Sequence, residues 1–342
     1  MTPMHPSPDA AGPAASSASS ARGDWRRLLA SPEAVALLLL VAGITGGGLL
    51  SPKYFLDFHY LIDSTSLYME AAIMALAMTF VIISGNIDLS VAANLALTAV
   101  LCGELRLRFG VPMGLVIVAG PCIGAVLGLF NGLLIARLRL PSLTVTIGTL
   151  ALYRGLAQVM IGDAALQGFP DWFNGIDQRY VAGLLPLPLV IFLVLAVACA
   201  VVLHRSLLGR FLYAMGTNES AARYSGVRAG VVKVAVFAIA GGFSGLGAVM
   251  MTSRLGTVQY SLADGQELAV ITAVVLGGTD IFGGRGTIFG TVVATFLLGI
   301  ISRAMGLALW PAENQLAVSG SLLIFAVVLY RLLAKIGTTI RT

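Results

Sequence analysis

The strongest constraint on this chain is a series of long apolar runs separated by short polar segments. A run of about 20 apolar residues lets a helix cross roughly 30 Å of hydrocarbon. Only 11% of the 342 residues are charged, whereas soluble domains carry about 25%. The sequence therefore predicts an all-α, polytopic membrane protein with about ten transmembrane helices. The predicted spans are 33–50, 62–83, 90–105, 112–136, 142–161, 186–203, 231–253, 266–279, 287–307 and 315–333.

Charge placement predicts the orientation of these spans. Residues 1–23 are rich in Pro, Ala and Ser, which predicts a disordered tail. Arg22, Arg26 and Arg27 precede the first span and predict a cytoplasmic N-terminus. Ten crossings then return the C-terminus to the cytoplasm, with 14 of the 21 Lys and Arg residues on that side. The pieces at 90–105 and 266–279 are short, so the sequence leaves open whether they cross completely.

A polar stretch, "MGTNESAARYSG", interrupts the apolar sequence at 215–226. Asn218 is a good helix N-cap, Glu219 suits the first turn, and Gly226 suits the position after the last turn. A helix this short is marginal in water and needs a surface to pack on. Its adjacent alanines would let another surface come close. It is either an ordinary loop helix on its own membrane domain or a docking helix.

This stretch resembles the cytoplasmic coupling loop of bacterial ABC-importer permeases of the ribose/branched-chain amino acid type. The family pattern is Gly-x-Asn, then Ala-Ala, then Gly-Ile, and Val227 stands here in place of Ile. The segment "SGNIDLSVAANLALTA" at 84–99 resembles the Gly-Gly-Ile-Asp-Leu-Ser-Val-Gly-Ser stretch of the sugar branch, with Asn86 in place of the second Gly. Residues 146–155 and 269–299 resemble further signatures of the same permeases.

The resemblance implies a division of labour between several chains. Residues 24–342 would form the permease domain, with a coupling loop at 204–230 that docks onto a separate cytoplasmic ATP-binding subunit. The chain lacks a P-loop motif, so ATP and Mg²⁺ would be bound by that partner, and this chain would carry no cofactor, metal or catalytic residue. The residues implied in coupling are Gly216, Asn218, Glu219, Ala221, Ala222 and Gly226.

Further partners follow from the same resemblance. A periplasmic sugar-binding protein would deliver the solute, and a second permease copy or a paralogue would complete a homodimer or heterodimer. The assembly would lie in the bacterial inner membrane and would bind no nucleic acid. The region 146–180 looks most like rhamnose permeases, which makes rhamnose the expected solute, with ribose, xylose or autoinducer-2 as alternatives. A different class, an ion-coupled secondary transporter, would need ionisable residues at the midplane, which are scarce here.

Polar residues within the apolar runs are the candidates for a solute path. Asp88 either caps the following helix or has a gating or substrate role. Its segment, "GNIDL" at 85–89, resembles "GGTDI" at 277–281, which suggests an internal repeat. For every candidate, hydrogen bonding between helices is the alternative role. The candidates are Asn86, Asp88, Asn94, Thr98, Asn131, Thr146, Thr149, Tyr153, Gln158 and Ser244.

Glycines at four-residue spacing predict one close helix–helix contact. Gly120, Gly124 and Gly128 recur on one face of a span, and further glycines cluster at 241–247. Faces of small residues let two helices approach closely in a membrane. Arg154, next to Tyr153, either extends to the interface or pairs with a carboxylate.

Overall fold

The computed structural model describes residues 32–50 and 57–339, and most of them are helical. The predicted tail at 1–23 and the three N-terminal arginines lie outside these residues. The first group of helices is α1 (Pro32–Leu50), α2 (Phe58–Ser64), a 3₁₀ turn (Thr65–Tyr68), α3 (Met69–Ile83), α4 (Val91–Leu107), α5 (Met113–Leu138) and α6 (Ser142–Ile161). The second is α7 (Asp171–Asn174), α8 (Leu187–Arg205), α9 (Leu207–Thr217), α10 (Glu219–Tyr224), α11 (Ala229–Leu255), α12 (Gln266–Leu276), α13 (Ile288–Leu307) and α14 (Ala312–Thr339).

Strands are confined to short connections. Strand β1 (Leu166–Gln167) pairs antiparallel with β4 (Thr257–Val258), and β2 (Tyr180–Val181) pairs antiparallel with β3 (Leu185–Pro186). The first pair ties the loop after α6 to the loop after α11. The described part of the chain is therefore a helix bundle, as the sequence predicts.

Among the described residues, six helical segments are long and apolar enough to cross a membrane. They are Phe58–Ile83, Met113–Leu138, Ser142–Ile161, Leu187–Arg205, Ala229–Leu255 and Ile288–Leu307. Each of the other four predicted spans coincides with a helix. That these four helices cross the membrane stays a prediction. Helix α12 has only 11 residues and is about 16 Å long at 1.5 Å per residue, roughly half of the hydrocarbon thickness.

Helix α3 forms the centre of the bundle. Its side chains are buried along almost the whole length, from Met69 to Ile83. It packs against α8, α11, α12 and α13. An all-round apolar helix is expected where neighbours cover every face. Helices α5, α6 and α8 instead expose many large apolar side chains, as expected of helices that face lipid.

The predicted glycine contact is confirmed and joins α5 to α11. Gly124 lies against the backbone of Gly241 and Gly245, and Gly128 lies against Gly241 and the carbonyl of Phe237. A Cβ atom at Gly124 or Gly128 would overlap these backbone atoms. Small residues are therefore required along this crossing.

The two ends of the bundle can be told apart by the segments that lie there. Ile83 at the end of α3 contacts the backbone that leads into α10, and Ala229 begins α11 directly after it. We call this the α10 end. Met69 and Leu255, at the opposite ends of α3 and α11, belong to the far end. The sequence predicts that the α10 end is cytoplasmic.

Candidate functional site

Helix α10 begins and ends where the sequence predicts. The side-chain oxygen of Asn218 accepts a hydrogen bond from the backbone N–H of Ala221 at 3.0 Å and caps the helix. Gly226 follows the last turn with a φ of +88°, a conformation that glycine adopts easily. The predicted helix is confirmed, while its role in coupling stays a prediction.

The two adjacent alanines of α10 face opposite ways. Ala222 is buried against the membrane domain, and Ala221 is exposed. Tyr224, one turn further, is 94% exposed. Tyrosine is one of the residue types enriched at the energetic centres of protein interfaces. Helix α10 thus packs on its own domain with one face and leaves the other face exposed.

Charged side chains fix α10 to the start of α11. The Glu219 carboxylate contacts Arg223 at 2.6 Å and Lys233, on α11, at 2.9 Å. Burial acts to raise the pKa of Glu219, but its hydrogen bonds to Lys233 and Arg223 outweigh burial and lower it. The carboxylate is therefore charged at neutral pH and holds α10 in place.

Four glycines bring three separate segments together beside α10. We call Gly85, Gly216, Gly283 and Gly284 the glycine junction. The N–H of Gly284 donates to the carbonyl of Ile83 at 2.9 Å. A Cβ atom at Gly216 would overlap that carbonyl and the backbone of Gly284. The end of α3, the end of α9 and the turn between α12 and α13 therefore touch through backbone atoms.

The two similar five-residue segments form similar turns at this junction. The Asp88 carboxylate accepts hydrogen bonds from the backbone N–H and the hydroxyl of Ser90, at 2.8 and 2.6 Å. The Asp280 carboxylate accepts the N–H of Phe282 at 3.0 Å. In both turns the Asp side chain bonds to the residue two positions on, a local Asx-type arrangement. This shared geometry supports an internal repeat and shows Asp88 supporting the start of α4.

Part of the predicted candidate set forms one hydrogen-bond network between α4, α5 and α6. The Asn131 amide donates to the Ser90 hydroxyl at 2.8 Å. The Tyr153 hydroxyl contacts the carbonyl of Leu127 at 2.8 Å and the Asn131 oxygen at 3.2 Å. Through Ser90 the network reaches Asp88. These polar groups satisfy one another, which is the common use of such residues between membrane helices.

Two other candidates pair beside this network. The Asn94 amide donates to the carbonyl of Gly124 at 3.1 Å, and the Thr98 hydroxyl donates to the Asn94 oxygen at 3.1 Å. The predicted shared helix face of Asn94 and Thr98 is confirmed. The remaining candidates do not join these groups into one cavity, and Gln158 is exposed. The side chain of Asn86 donates to Ser84, and that of Thr146 donates to the carbonyls of Ile87 and Leu143. The hydroxyl of Thr149 donates to the carbonyl of Thr146, and that of Ser244 donates to the carbonyl of Ala240.

Sequence reasoning missed a buried ion pair at the far end. The Glu70 carboxylate, at the start of α3, accepts a hydrogen bond from Arg254, at the end of α11, at 2.8 Å. Asp177, from the loop after α7, is 6% exposed. Burial and the negative charge of Glu70 raise the pKa of Asp177 to about 7, although Arg254 opposes them. The pair and Asp177 are far apart in sequence, so no local pattern indicated them.

Arg154 pairs with a carboxylate, which confirms the second of the two roles predicted for it. Its guanidinium donates to the carbonyls of Tyr260 and Leu262, at 2.7 Å each, and lies 3.5 Å from the Asp264 carboxylate. Arg154 therefore ties α6 to the loop between α11 and α12.

A row of hydroxyls between α3 and α13 was also missed. The Thr79 and Thr291 hydroxyls lie 2.8 Å apart, and the Thr295 hydroxyl donates to the carbonyl of Thr291 at 2.8 Å. Thr287, the residue that caps α13, is followed at four-residue intervals by Thr291 and Thr295 on the helix, a signal that the sequence does contain. The row points along the bundle from the glycine junction towards the far end.

Comparisons with known proteins place these features in context. The family described as "Branched-chain amino acid transport system / permease component" matches residues 60–327. The "Autoinducer 2 import system permease protein LsrD" of Enterobacter sp. (strain 638) is 36% identical over 301 residues, 86% of this chain and 91% of that protein. Proteins of the same name from Klebsiella pneumoniae and Escherichia coli K12 are 35% and 36% identical, covering 90% and 89% of their own lengths. No solved structure matches the chain.

Proposed function

Because this chain belongs to the family of branched-chain amino acid transport system permease components, we propose that it is the membrane subunit of an importer for autoinducer-2. Membership of the family by itself establishes the general role of the chain, without the identity of the solute. The chain is a permease of a bacterial ABC importer for a sugar-like solute, a transport component rather than an enzyme, and a multi-pass inner-membrane protein.

The choice of autoinducer-2 replaces the expected rhamnose. Rhamnose was inferred from the region 146–180, but the curated relatives that cover most of the chain carry the name of autoinducer 2 import permeases. Neither rhamnose nor ribose gains support from them. The observation that carries the proposal is 36% identity across 86% of the chain to such a permease.

Membership of the family implies an ATPase subunit and a periplasmic binding protein as partners. We propose that the ATPase docks on the exposed face of α10, formed by Ala221 and Tyr224. This face combines the small Ala221 side chain with the exposed Tyr224 ring, and it stands on a helix that Glu219 fixes to α11. ATP and Mg²⁺ would bind to the partner, and a second permease copy or a paralogue would complete the membrane part.

The glycine junction supports a route from α10 into the bundle. A displacement of α10 would move α9, which directly precedes it. Gly216 on α9 would transmit this displacement to the end of α3 and to the turn before α13. Both repeated turns lie at this point. Backbone contacts transmit such a displacement because close-packed atoms leave no room for a side chain to absorb it.

Transport by the reconstituted assembly tests the proposed solute. The chain would be placed in proteoliposomes with its ATPase and binding protein, and uptake of labelled autoinducer-2, ribose and rhamnose would be compared. We expect autoinducer-2 to show the highest kcat/KM, since discrimination is a ratio of these values. A higher kcat/KM for rhamnose or ribose would overturn the choice of solute without affecting membership of the family.

A further inference from the structure

The turn between α12 and α13 lies beside the segment that leads into α10. A Cβ atom at Gly284 would overlap the hydroxyl and the backbone nitrogen of Thr217, the residue before the N-cap of α10. The Tyr213 hydroxyl, on α9, donates to the carbonyl of Gly286 at 2.7 Å. These contacts fix the turn next to the start of α10.

Hydrogen bonds within the turn hold it in one conformation. The N–H of Asp280 donates to the carbonyl of Arg285 at 3.0 Å, and the N–H of Gly283 donates to the carbonyl of Asp280 at 2.9 Å. The Asp280 carboxylate also accepts the N–H of Phe282. A partner that contacts this turn would not have to order it first, which lowers the entropic cost of binding.

The two repeated turns differ in the side chain two positions after the aspartate. In the first turn this residue is Ser90, which is 1% exposed and bonds to Asp88 and Asn131. In the second turn it is Phe282, which is 66% exposed. Aromatic residues are enriched in the buried centres of protein interfaces. The first turn therefore serves packing inside the membrane domain, whereas the second presents an aromatic ring at its surface.

The exposed charges of the turn and of the residues after α10 are positive. Arg285, in the turn, and Arg228, after α10, are exposed and form no ion pair with any described residue. The Glu219 carboxylate already contacts two cations, and the Asp280 carboxylate is bonded within the turn. This surface is therefore complementary to an acidic surface on a partner.

Helix α10 is too small to hold a protein partner alone. Specific interfaces take about 20–30 residues on each side and bury about 800 Å² per partner. Helix α10 has 6 residues, and one of them, Ala222, is buried. An ATPase that docks on α10 must therefore also cover neighbouring surface. The turn that carries Phe282 is such a neighbour, held by backbone contacts at the start of α10.

We propose that the turn between α12 and α13 is a second contact for the ATPase, with Phe282 seated in an apolar pocket of that subunit and Arg285 facing an acidic group at the edge of the pocket. The proposal rests on the proposed function and extends docking from one helix to two elements of the chain. The N–H of Gly284 also bonds to the carbonyl of Ile83, so the turn would carry ATPase movement to α3 and α13 without passing through α10.

Binding of the purified ATPase to the full chain in phosphatidylcholine nanodiscs tests this contact. Phe282→Ala should raise the Kd at least about tenfold, as expected when an aromatic anchor is truncated. The matched control is Phe109→Ala, because Phe109 is 70% exposed but follows the far end of α4. The control should keep the wild-type Kd. Both variants should keep the wild-type melting temperature, since neither ring is buried.

The salt dependence of the same Kd tests Arg285. Attraction between exposed charges is screened as the salt concentration rises. Arg285→Gln should raise the Kd about two- to fivefold at low salt and weaken its dependence on salt. Arg137→Gln is the matched control, since Arg137 is exposed on the last turn of α5, at the same end of the bundle. Equal salt dependence in Arg285→Gln and the wild type would overturn the acidic partner surface.

Photocrosslinking identifies what lies against the turn. Phe282 would be replaced by p-benzoylphenylalanine in the assembly of this chain, its ATPase and its binding protein. We expect irradiation to give a product that contains the ATPase. A product that contains only a second copy of the permease, or only lipid, would overturn the proposal and assign the turn to that neighbour.

A failure of this contact can be told apart from a failure of the proposed function. If the wild-type chain forms no complex with the ATPase, both are overturned. If the complex forms and Ala221→Trp abolishes it, while Phe282→Ala and Arg285→Gln bind as the wild type does, docking on α10 stands and the second contact is rejected. A solute other than autoinducer-2 would leave these results unchanged, because none of the measurements uses solute.

Discussion

The two ends of the bundle are held together in different ways. At the α10 end, Gly216 meets Gly284 and the carbonyl of Ile83 through backbone atoms. At the far end, Glu70 and Arg254 meet through side chains, and cavities remain between the helices. Backbone contacts cannot rearrange without moving whole helices, whereas side-chain contacts can break and form again. We expect the α10 end to transmit movement and the far end to open and close.

Because the contacts differ, the two ends also tolerate different substitutions. The α10 end needs glycine at particular positions, and the added volume of a methyl group is enough to disturb it. The far end depends on pairs of charged groups, and the loss of one partner leaves the other buried without compensation. The predictions below test this contrast.

The largest effect is expected from the buried ion pair. Arg254→Met should lower the free energy of unfolding by about 3–5 kcal/mol, because the Glu70 carboxylate stays buried without its partner. Glu70 is only 1% exposed. The midpoint of thermal unfolding in detergent measures this effect. The double variant Glu70→Gln, Arg254→Met should recover part of the loss, and an equal loss in both variants would argue against the pair.

A smaller loss of stability, with a larger loss of transport, is expected at the glycine junction. Gly216→Ala forces a methyl group against backbone atoms, which should cost about 1–3 kcal/mol. We expect sugar uptake to fall to background while the protein still reaches the membrane. Gly148→Ala, whose new methyl group meets open space, is the control. Normal uptake by Gly216→Ala would show that the junction does not transmit movement.

The smallest effect is a dependence of stability on pH at the far end. Burial, with the charge of Glu70, raises the pKa of Asp177 to about 7, from an ordinary value of 3.8. The folded protein therefore binds this proton more tightly than the unfolded chain, and stability falls as pH rises towards and through 7. Between pH 8 and pH 5 the melting temperature should rise by about 2–4 °C from this group.

Asp177→Asn separates this effect from other titrations. The variant should keep the stability of the protonated form and lose the part of the pH dependence that Asp177 contributes. Melting curves of both proteins at pH 5, 6, 7 and 8 measure the difference. Identical pH profiles would show that Asp177 does not titrate in this range.

Local signals made the α10 end predictable from the sequence. Asn218 and Gly226 carry helix-end chemistry in their own side chain and backbone, so the limits of α10 followed directly. The four-residue spacing of Gly120, Gly124 and Gly128 likewise gave one face of a helix, and the structure places that face on α11. The apolar runs gave the helices of the bundle to within a few residues.

The far end could not be predicted in the same way. Glu70 and Arg254 are 184 residues apart, and the hydroxyls of Thr79 and Thr291 are 212 residues apart. Such pairs depend on which helices become neighbours, and a single sequence does not state this. The prediction of Tyr153 and Asn131 as path candidates used their residue type and their place within apolar runs. Their bonds to each other and to Leu127 follow from how α5 and α6 pack.

The energy source of uptake tests the central claim most directly. Proteoliposomes holding this chain, its ATPase and its binding protein would be supplied with ATP, with and without ionophores that collapse ion gradients. We predict that autoinducer-2 uptake requires hydrolysable ATP, survives the ionophores, and is lost in Ala221→Trp while the protein remains folded, since Ala221 is exposed on α10. Uptake that proceeds without the ATPase, or that the ionophores abolish, would contradict the account.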